Sequence, residues 1–238
     1  MLQLESGNVG GEWDPGEDTC MADSAWRGRQ EIVRRPWCFR CRRPKLTCVC
    51  SVITPFLSRT RFVLLVHPRE YRRTRIGTGW ITHLALPNSE ICVGVDFRCH
   101  DRVNALLDDG QMDCRLVYPG KDIQNMSRGE YRADPTRQRV FFLIDGTWPC
   151  ARKVLRLSSN LQLLPRVGFD VATPSHFAIK RQPRGDCLAT SEAVHRCLQS
   201  LAEQGHERFG CEDGRRLLAP LRRIMEIQAG YPGAPPFA

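Results

Sequence analysis

A mostly parallel α/β sheet with helices on both faces is the fold class this sequence predicts, and three observations predict it. Short runs of consecutive apolar, β-branched and aromatic residues recur, as in Phe62-Val63-Leu64-Leu65-Val66, Ile91-Cys92-Val93-Gly94-Val95 and Val140-Phe141-Phe142-Leu143-Ile144. Such runs suit strands buried on both sides, not strands with one wet face. Segments of helical spacing separate them, the alternation that βαβ units produce. The third run stops abruptly in Asp145-Gly146-Thr147-Trp148, and open α/β sheets place their ligands at the carboxyl ends of such strands. Asp145 then sits at a mouth, although an acid that only caps the following helix reads equally well from this run alone.

The elements follow in order. Residues 1–33 are rich in Gly, Asp and Glu without an apolar period and read as a disordered acidic tail, with Met21 as an alternative start. Residues 34–58 form a cysteine knuckle, 59–230 an α/β catalytic domain, and 231–238 a Pro/Gly-rich disordered tail. Within the domain, Phe62–Val66 is the first strand, and a helix covers about 77–86 with Gly77 and Gly79 at its start. Ile91–Val95 is the second strand, Arg102–Leu107 a short helix, and Leu116-Val117-Tyr118 a third strand closed by the Pro119-Gly120 turn signal. A polar loop at about 121–138 leads into the strand that ends at Asp145. Pro149 opens a helical stretch carrying Val154, Leu155, Leu161 and Leu164, and Phe177–Ile179 reads as another short strand. Thr190 and Ser191 are N-cap types before Ala193, Val194, Cys197, Leu198 and Leu201, and a last helix covers about 214–228.

Composition narrows the function classes. In 238 residues no apolar stretch approaches the ~20 residues of a membrane span, and the N-terminus lacks a basic region followed by an apolar run. The expectation is a soluble, cytoplasmic protein with no membrane association and no obligate protein partner. The net charge of +9 favours a polyanionic partner. Of 35 basic residues four are lysine and the other 31 arginine, whose planar fork suits phosphate and base recognition. A GC-rich genome would produce the same bias without any function.

Twelve cysteines without a secretory signal point to metal ligands rather than disulfides. Cys38-x-x-Cys41 and Cys48-x-Cys50 can place four thiolates around one tetrahedral Zn2+, a closed and therefore structural site. Arg34, Arg35, Arg40, Arg42, Arg43 and Lys45 surround it. They read either as contacts to an RNA backbone or as a solvated charged loop beside a metal staple.

Three polar clusters carry the remaining chemistry. The first is His67-Pro68-Arg69-Glu70, continuing through Arg73 to Thr78-Gly79; the second is Asp145-Gly146-Thr147-Trp148, followed by Arg152 and Lys153; the third is Thr190-Ser191-Glu192-Ala193. A Gly/Thr helix start can offer amides to a carboxylate or phosphate. Singly, His67 also reads as a hydrogen-bonded core histidine, and Glu192 as a first-turn acid favoured by the helix dipole.

In this order, after the CxxC…CxC knuckle, the clusters closely resemble the DTW-domain family of tRNA-uridine aminocarboxypropyltransferases over residues 37–205. The family's Asp-x-Thr-Trp motif is matched by Asp145, Thr147 and Trp148. Arg75-Ile76 and Gly146 depart from the expected pattern, which there has an Asn-type residue and a commoner aliphatic or Ala, respectively. The resemblance implies a SPOUT-like fold with the cofactor in a knotted loop region. It also implies transfer of the 3-amino-3-carboxypropyl group from S-adenosylmethionine to N3 of a tRNA uridine, with release of methylthioadenosine.

Under that reading Asp145 takes the proton from N3, helped by partial burial beside Trp148. Trp148 either stacks on a base or locks Asp145 as a core residue, and Thr147 orients the acid or binds the donor's carboxylate. Arg73 and the Thr78-Gly79 amides hold that carboxylate, and Glu70 or Glu192 the amine. His67, Thr190 and Ser191 complete the cofactor set, while Arg40, Arg42, Arg43, Arg152, Lys153, Arg181 and Arg184 contact RNA. Two competitors remain open, a SPOUT-type methyltransferase and a non-catalytic zinc-knuckle RNA-binding protein.

Overall fold

The computed structural model describes residues 36–72, 77–120, 122–171, 175 and 187–230. The two tails, Arg34, Arg35, Arg73, the strand expected at Phe177–Ile179, Arg181 and Arg184 lie outside the described residues.

The knuckle opens with a short antiparallel ribbon of β1 (Trp37–Cys38) and β2 (Arg43–Pro44). Six strands then build the main sheet: β3 (Arg61–Val66), β4 (Glu90–Val93), β5 (Met112–Val117), β6 (Ile123–Asn125), β7 (Gln138–Asp145) and β8 (Arg166–Gly168). Their order is β4-β3-β7-β5-β8-β6, and every pairing is parallel. The helices are α1 (Pro68–Arg72), α2 (Thr78–Ala85), α3 (Asp101–Leu107), α4 (Trp148–Leu157), α5 (Ser159–Gln162), α6 (Thr190–Glu203) and α7 (Cys211–Ala229).

The consecutive apolar runs have a simple cause, since alternate side chains of one strand serve two cores. Phe62, Leu64, Val66, Phe141 and Leu143 pack with Val194, Leu198 and Leu201 of α6 and Leu217 of α7. Val63, Leu65, Val140 and Phe142 point the other way, onto Val103 and Leu106 of α3 and Val154, Leu155 and Leu161 of α4 and α5. Each such side chain contributes roughly 1.5–3 kcal/mol by burial. The fold is therefore a six-stranded parallel sheet with helices on both faces.

Several boundaries differ from the sequence reading. The second strand stops at Val93, and the third starts four residues early, at Met112. Buried Asp113 sits within the third strand because its carboxylate accepts from Arg115 Nε at 2.8 Å and from the Tyr131 hydroxyl at 3.2 Å. The polar loop contains β6 and a 3-10 turn at Met126–Arg128, with Met126 and Tyr131 sunk in the core. The helical stretch after Pro149 is broken at Ser158, whose buried hydroxyl accepts from the Phe97 amide at 3.0 Å. The short strand β8 was not foreseen, and the last helix begins at Cys211.

One consequence matters for function. β7 lies between β3 and β5, so Asp145, its last residue, pairs in register with Val66 and ends at the carboxyl edge of the sheet. The His67 amide extends that ladder by donating to the Asp145 carbonyl at 3.1 Å.

Candidate active site and cysteine centre

Two helix N-termini meet at Asp145. One carboxylate oxygen accepts from the Thr190 hydroxyl, at the start of α6, at 2.6 Å. The other lies so close to the first turn of α2 that a Cβ on Gly79 would fall 2.3 Å from it. Glycine at 79 is thus a steric requirement of the acid's position. A carboxylate is the group that helix N-termini stabilise.

Short-range bonds tie the two helix starts together. The Thr190 amide donates to Thr78 Oγ1 at 3.2 Å, and the Thr82 hydroxyl donates to the Thr78 carbonyl at 2.8 Å. Ser191 Oγ and Thr82 Oγ1 lie 2.7 Å apart, both buried. Glu192 closes the first turn of α6 by accepting from the Ala189 amide at 2.8 Å and also takes the Ser175 hydroxyl. Thr78, Gly79, Thr190 and Asp145 therefore form one constellation, with Ser191 behind it and Glu192 serving as a cap.

A cleft opens beside this constellation. Val66, Glu70, Gly77, Ile91 and Asp145 line it from the sheet side, and Arg42, Tyr71 and Trp80 close it. Glu70 is buried at the start of α1. The His67 ring is buried next to it, with Nδ1 accepting from the Arg69 amide at 3.1 Å. Burial, followed by the charges of Arg69 and Lys153, pushes the His67 pKa below its ordinary value, so the ring is neutral at pH 7 with its proton on Nε2.

Thr147 and Trp148 are not part of the lining of the Asp145 cleft. Thr147 is the exposed N-cap of α4, and the Trp148 indole packs edge-on against Tyr118 at 6.0 Å between centroids. Tyr118 borders an open recess with Arg152, Arg156 and Arg166, and Trp148 adjoins that recess through its contact with Tyr118. Lys153 is exposed on the same helix. Tyr71, Trp80, Tyr118, Arg156 and Arg166 were missed in the sequence. Their one visible signal is the placing of aromatic residues beside charged ones in otherwise polar segments.

The knuckle brings Cys38, Cys41, Cys48 and Cys50 together, with all four sulfurs within 4.8 Å of one another. Cys38–Cys50 and Cys41–Cys48 are each 3.6 Å apart, close to the ~3.8 Å edge of a tetrahedron with 2.3 Å Zn–S bonds. A hydrogen bond from the Cys41 backbone, first among several causes, lowers the Cys38 thiol to about 6.

Arg43 is a further indication. Its guanidinium is buried beside Cys41 and Cys48, and its Nε and Nη2 have no hydrogen-bond partner. A buried, unpaired cation is costly, whereas a tetrathiolate zinc site carries net negative charge that would compensate it. The residues fit a structural Zn2+, and Arg43 turns toward them instead of toward solvent. Arg40 offers its carbonyl to the Trp80 indole at 2.9 Å, and Arg42 reaches the cleft.

Residues 35–229 match the DTW domain. The chain is 30% identical over 220 residues to tRNA-uridine aminocarboxypropyltransferase 2 of Drosophila melanogaster, covering 87% of this chain and 83% of that protein. It is 29% identical to the Mus musculus protein of the same name, covering 89% and 70%. It is 22% identical to tRNA-uridine aminocarboxypropyltransferase A of Arabidopsis thaliana, covering 83% of each. No solved structure matches.

Proposed function

Because the chain belongs to the DTW-domain family, we propose that it moves the 3-amino-3-carboxypropyl group of S-adenosylmethionine onto N3 of a tRNA uridine. The names of its relatives support the reaction class. The observation that carries the assignment to a place is the Asp145 carboxylate, fixed between two helix N-termini at the mouth of a cleft.

The chemistry needs a base, a donor site and an RNA track. Asp145 takes the N3 proton, so that N3 attacks the γ-carbon of the donor; the N–C bond forms as the C–S bond breaks, and methylthioadenosine leaves. The donor's sulfonium supplies the leaving group. Thr190 and Gly79 hold the carboxylate in line, and a misplacement of ~1 Å would cost about 100-fold. Glu70, which lines the same cleft, is the acceptor for the donor's ammonium. Trp148 and Tyr118 offer aromatic faces to a splayed base, and Arg152, Arg156 and Arg166 take phosphates. Zn2+ on the four cysteines is structural.

Mass spectrometry of nucleosides from tRNA incubated with the protein and S-adenosylmethionine tests the reading. The aminocarboxypropyl adduct is expected, and Asp145→Asn should lower its formation by 10²–10⁴-fold, the usual contribution of a general base. A methyl adduct would identify a methyltransferase, and no adduct at all would leave an RNA-binding protein.

A further inference from the structure

We propose that Arg42, supplied by the zinc knuckle, binds the carboxylate at the amino-acid end of the donor, so that the knuckle is part of the donor site. This rests on the donor assigned above.

Arg42 stands between the Cys41 and Cys48 ligand positions, in a left-handed conformation with φ of +54°. That region is unfavourable for any residue with a Cβ, and such residues persist where the surroundings over-determine them. Here the surroundings are aromatic. The guanidinium carbon lies 3.6 Å from the Trp80 ring centroid and 4.4 Å from that of Tyr71. Arg42 Nη2 donates to the Tyr71 hydroxyl at 2.7 Å, and the Trp80 indole N–H reaches back to the Arg40 carbonyl at 2.9 Å. The knuckle and α2 thus clamp one cation at the wall of the Asp145 cleft.

A guanidinium has five N–H donors, and one is used by Tyr71. Among the described residues no carboxylate pairs with Arg42, although Glu70 and Asp145 line the same cleft. The charge pattern selects the ligand. An RNA phosphate entering here would meet two carboxylates as well as the arginine. An α-amino acid end carries both signs, and suits a cation facing acids with a helix N-terminus between them. Arg42 is thereby assigned to the donor, and the RNA contacts to the recess around Tyr118.

The test compares two ligands that differ in the aminocarboxypropyl group and in the sulfonium charge that goes with it. Binding of S-adenosylmethionine and of methylthioadenosine, which lacks the aminocarboxypropyl group, is measured by calorimetry on the full-length, zinc-loaded protein and on Arg42→Gly and Arg42→Lys. Glycine suits the left-handed position, so Arg42→Gly should fold and keep its zinc. Arg42→Gly is expected to weaken S-adenosylmethionine by about 10- to 100-fold, the size of a lost charge-assisted bond, and to leave methylthioadenosine unchanged. Arg42→Lys should recover only part of the loss, since lysine cannot reproduce the stacked fork. Equal weakening of both ligands, or an unchanged preference, overturns the Arg42 assignment while the transferase reading stands. Failure of the wild-type protein to bind S-adenosylmethionine overturns both.

Discussion

At the scale of single residues, Gly79 has the tightest surroundings among the described glycines. A methyl group at its Cα would sit 2.3 Å from one carboxylate oxygen of Asp145 and 2.8 Å from the carbon bearing it. Asp145 would have to turn, and its 2.6 Å bond from Thr190 would be lost with the same motion. Gly79→Ala is therefore expected to lower uridine modification by 100-fold or more, as about 1 Å of misplacement does, with a much smaller effect on melting temperature. A near-normal rate in a folded Gly79→Ala protein would show that the acid's position is not critical. The acid itself was legible in the sequence because a polar side chain ends an apolar run. Its partners were legible as motifs but not as a constellation, since Thr190 and Asp145 are far apart in the chain. Arg42 was illegible in another way. A basic residue in a cysteine loop fits RNA or a cleft equally well in the sequence, and its packing on Trp80 and Tyr71 is visible only in the fold.

At the scale of elements, the knuckle is welded to α2 and α7. Cys41, Val49 and Ile53 share a hydrophobic cluster with Ile81 of α2 and Leu221 and Ile224 of α7. Zinc loss would therefore loosen α2, whose first turn abuts Asp145. Replacing Cys38 and Cys41 by Ser is expected to abolish a content of about one zinc per chain and to lower stability by several kcal/mol, read as a fall in melting temperature. Wild-type protein without zinc by elemental analysis would refute the centre. Arg43→Met tests the charge argument separately: zinc affinity should fall, because the buried cation that offsets the thiolates is gone. The long buried strands were readable because each feeds two cores. β6 and β8 were not, having three residues each with Gln124 and Arg166 among them, too short for any period to show. The break at Ser158 was hidden for a related reason, as a tertiary bond to Phe97 and not local propensity makes it.

At the scale of the molecule, the pH dependence of stability follows from four histidines. Burial, the first cause in each case, pushes His67, His83, His195 and His206 below the ordinary value of 6.5. Between their folded values and 6.5 the unfolded chain binds more protons than the folded one. The histidine contribution to stability is therefore complete above about 6.5 and falls as pH drops through that window, the loss ending below the folded values. Carboxylates held low by arginines, Glu90 by Arg102 and Asp170 by Arg128, add their own loss only nearer pH 4. Melting temperature should thus decline from pH 6.5 to 5, before the acid groups titrate, beyond the fall that the Cys38 thiol, held at about 6, adds between pH 9 and 6. Zinc content measured on the same samples separates this from thiolate protonation, which would release metal. His206 offers the sharpest check, because its ring packs on Tyr131 at 6.0 Å with Arg139 beside it, far from the cysteines in sequence. His206→Gln is expected to flatten part of the decline, whereas a decline identical to wild type would remove this ring from the account.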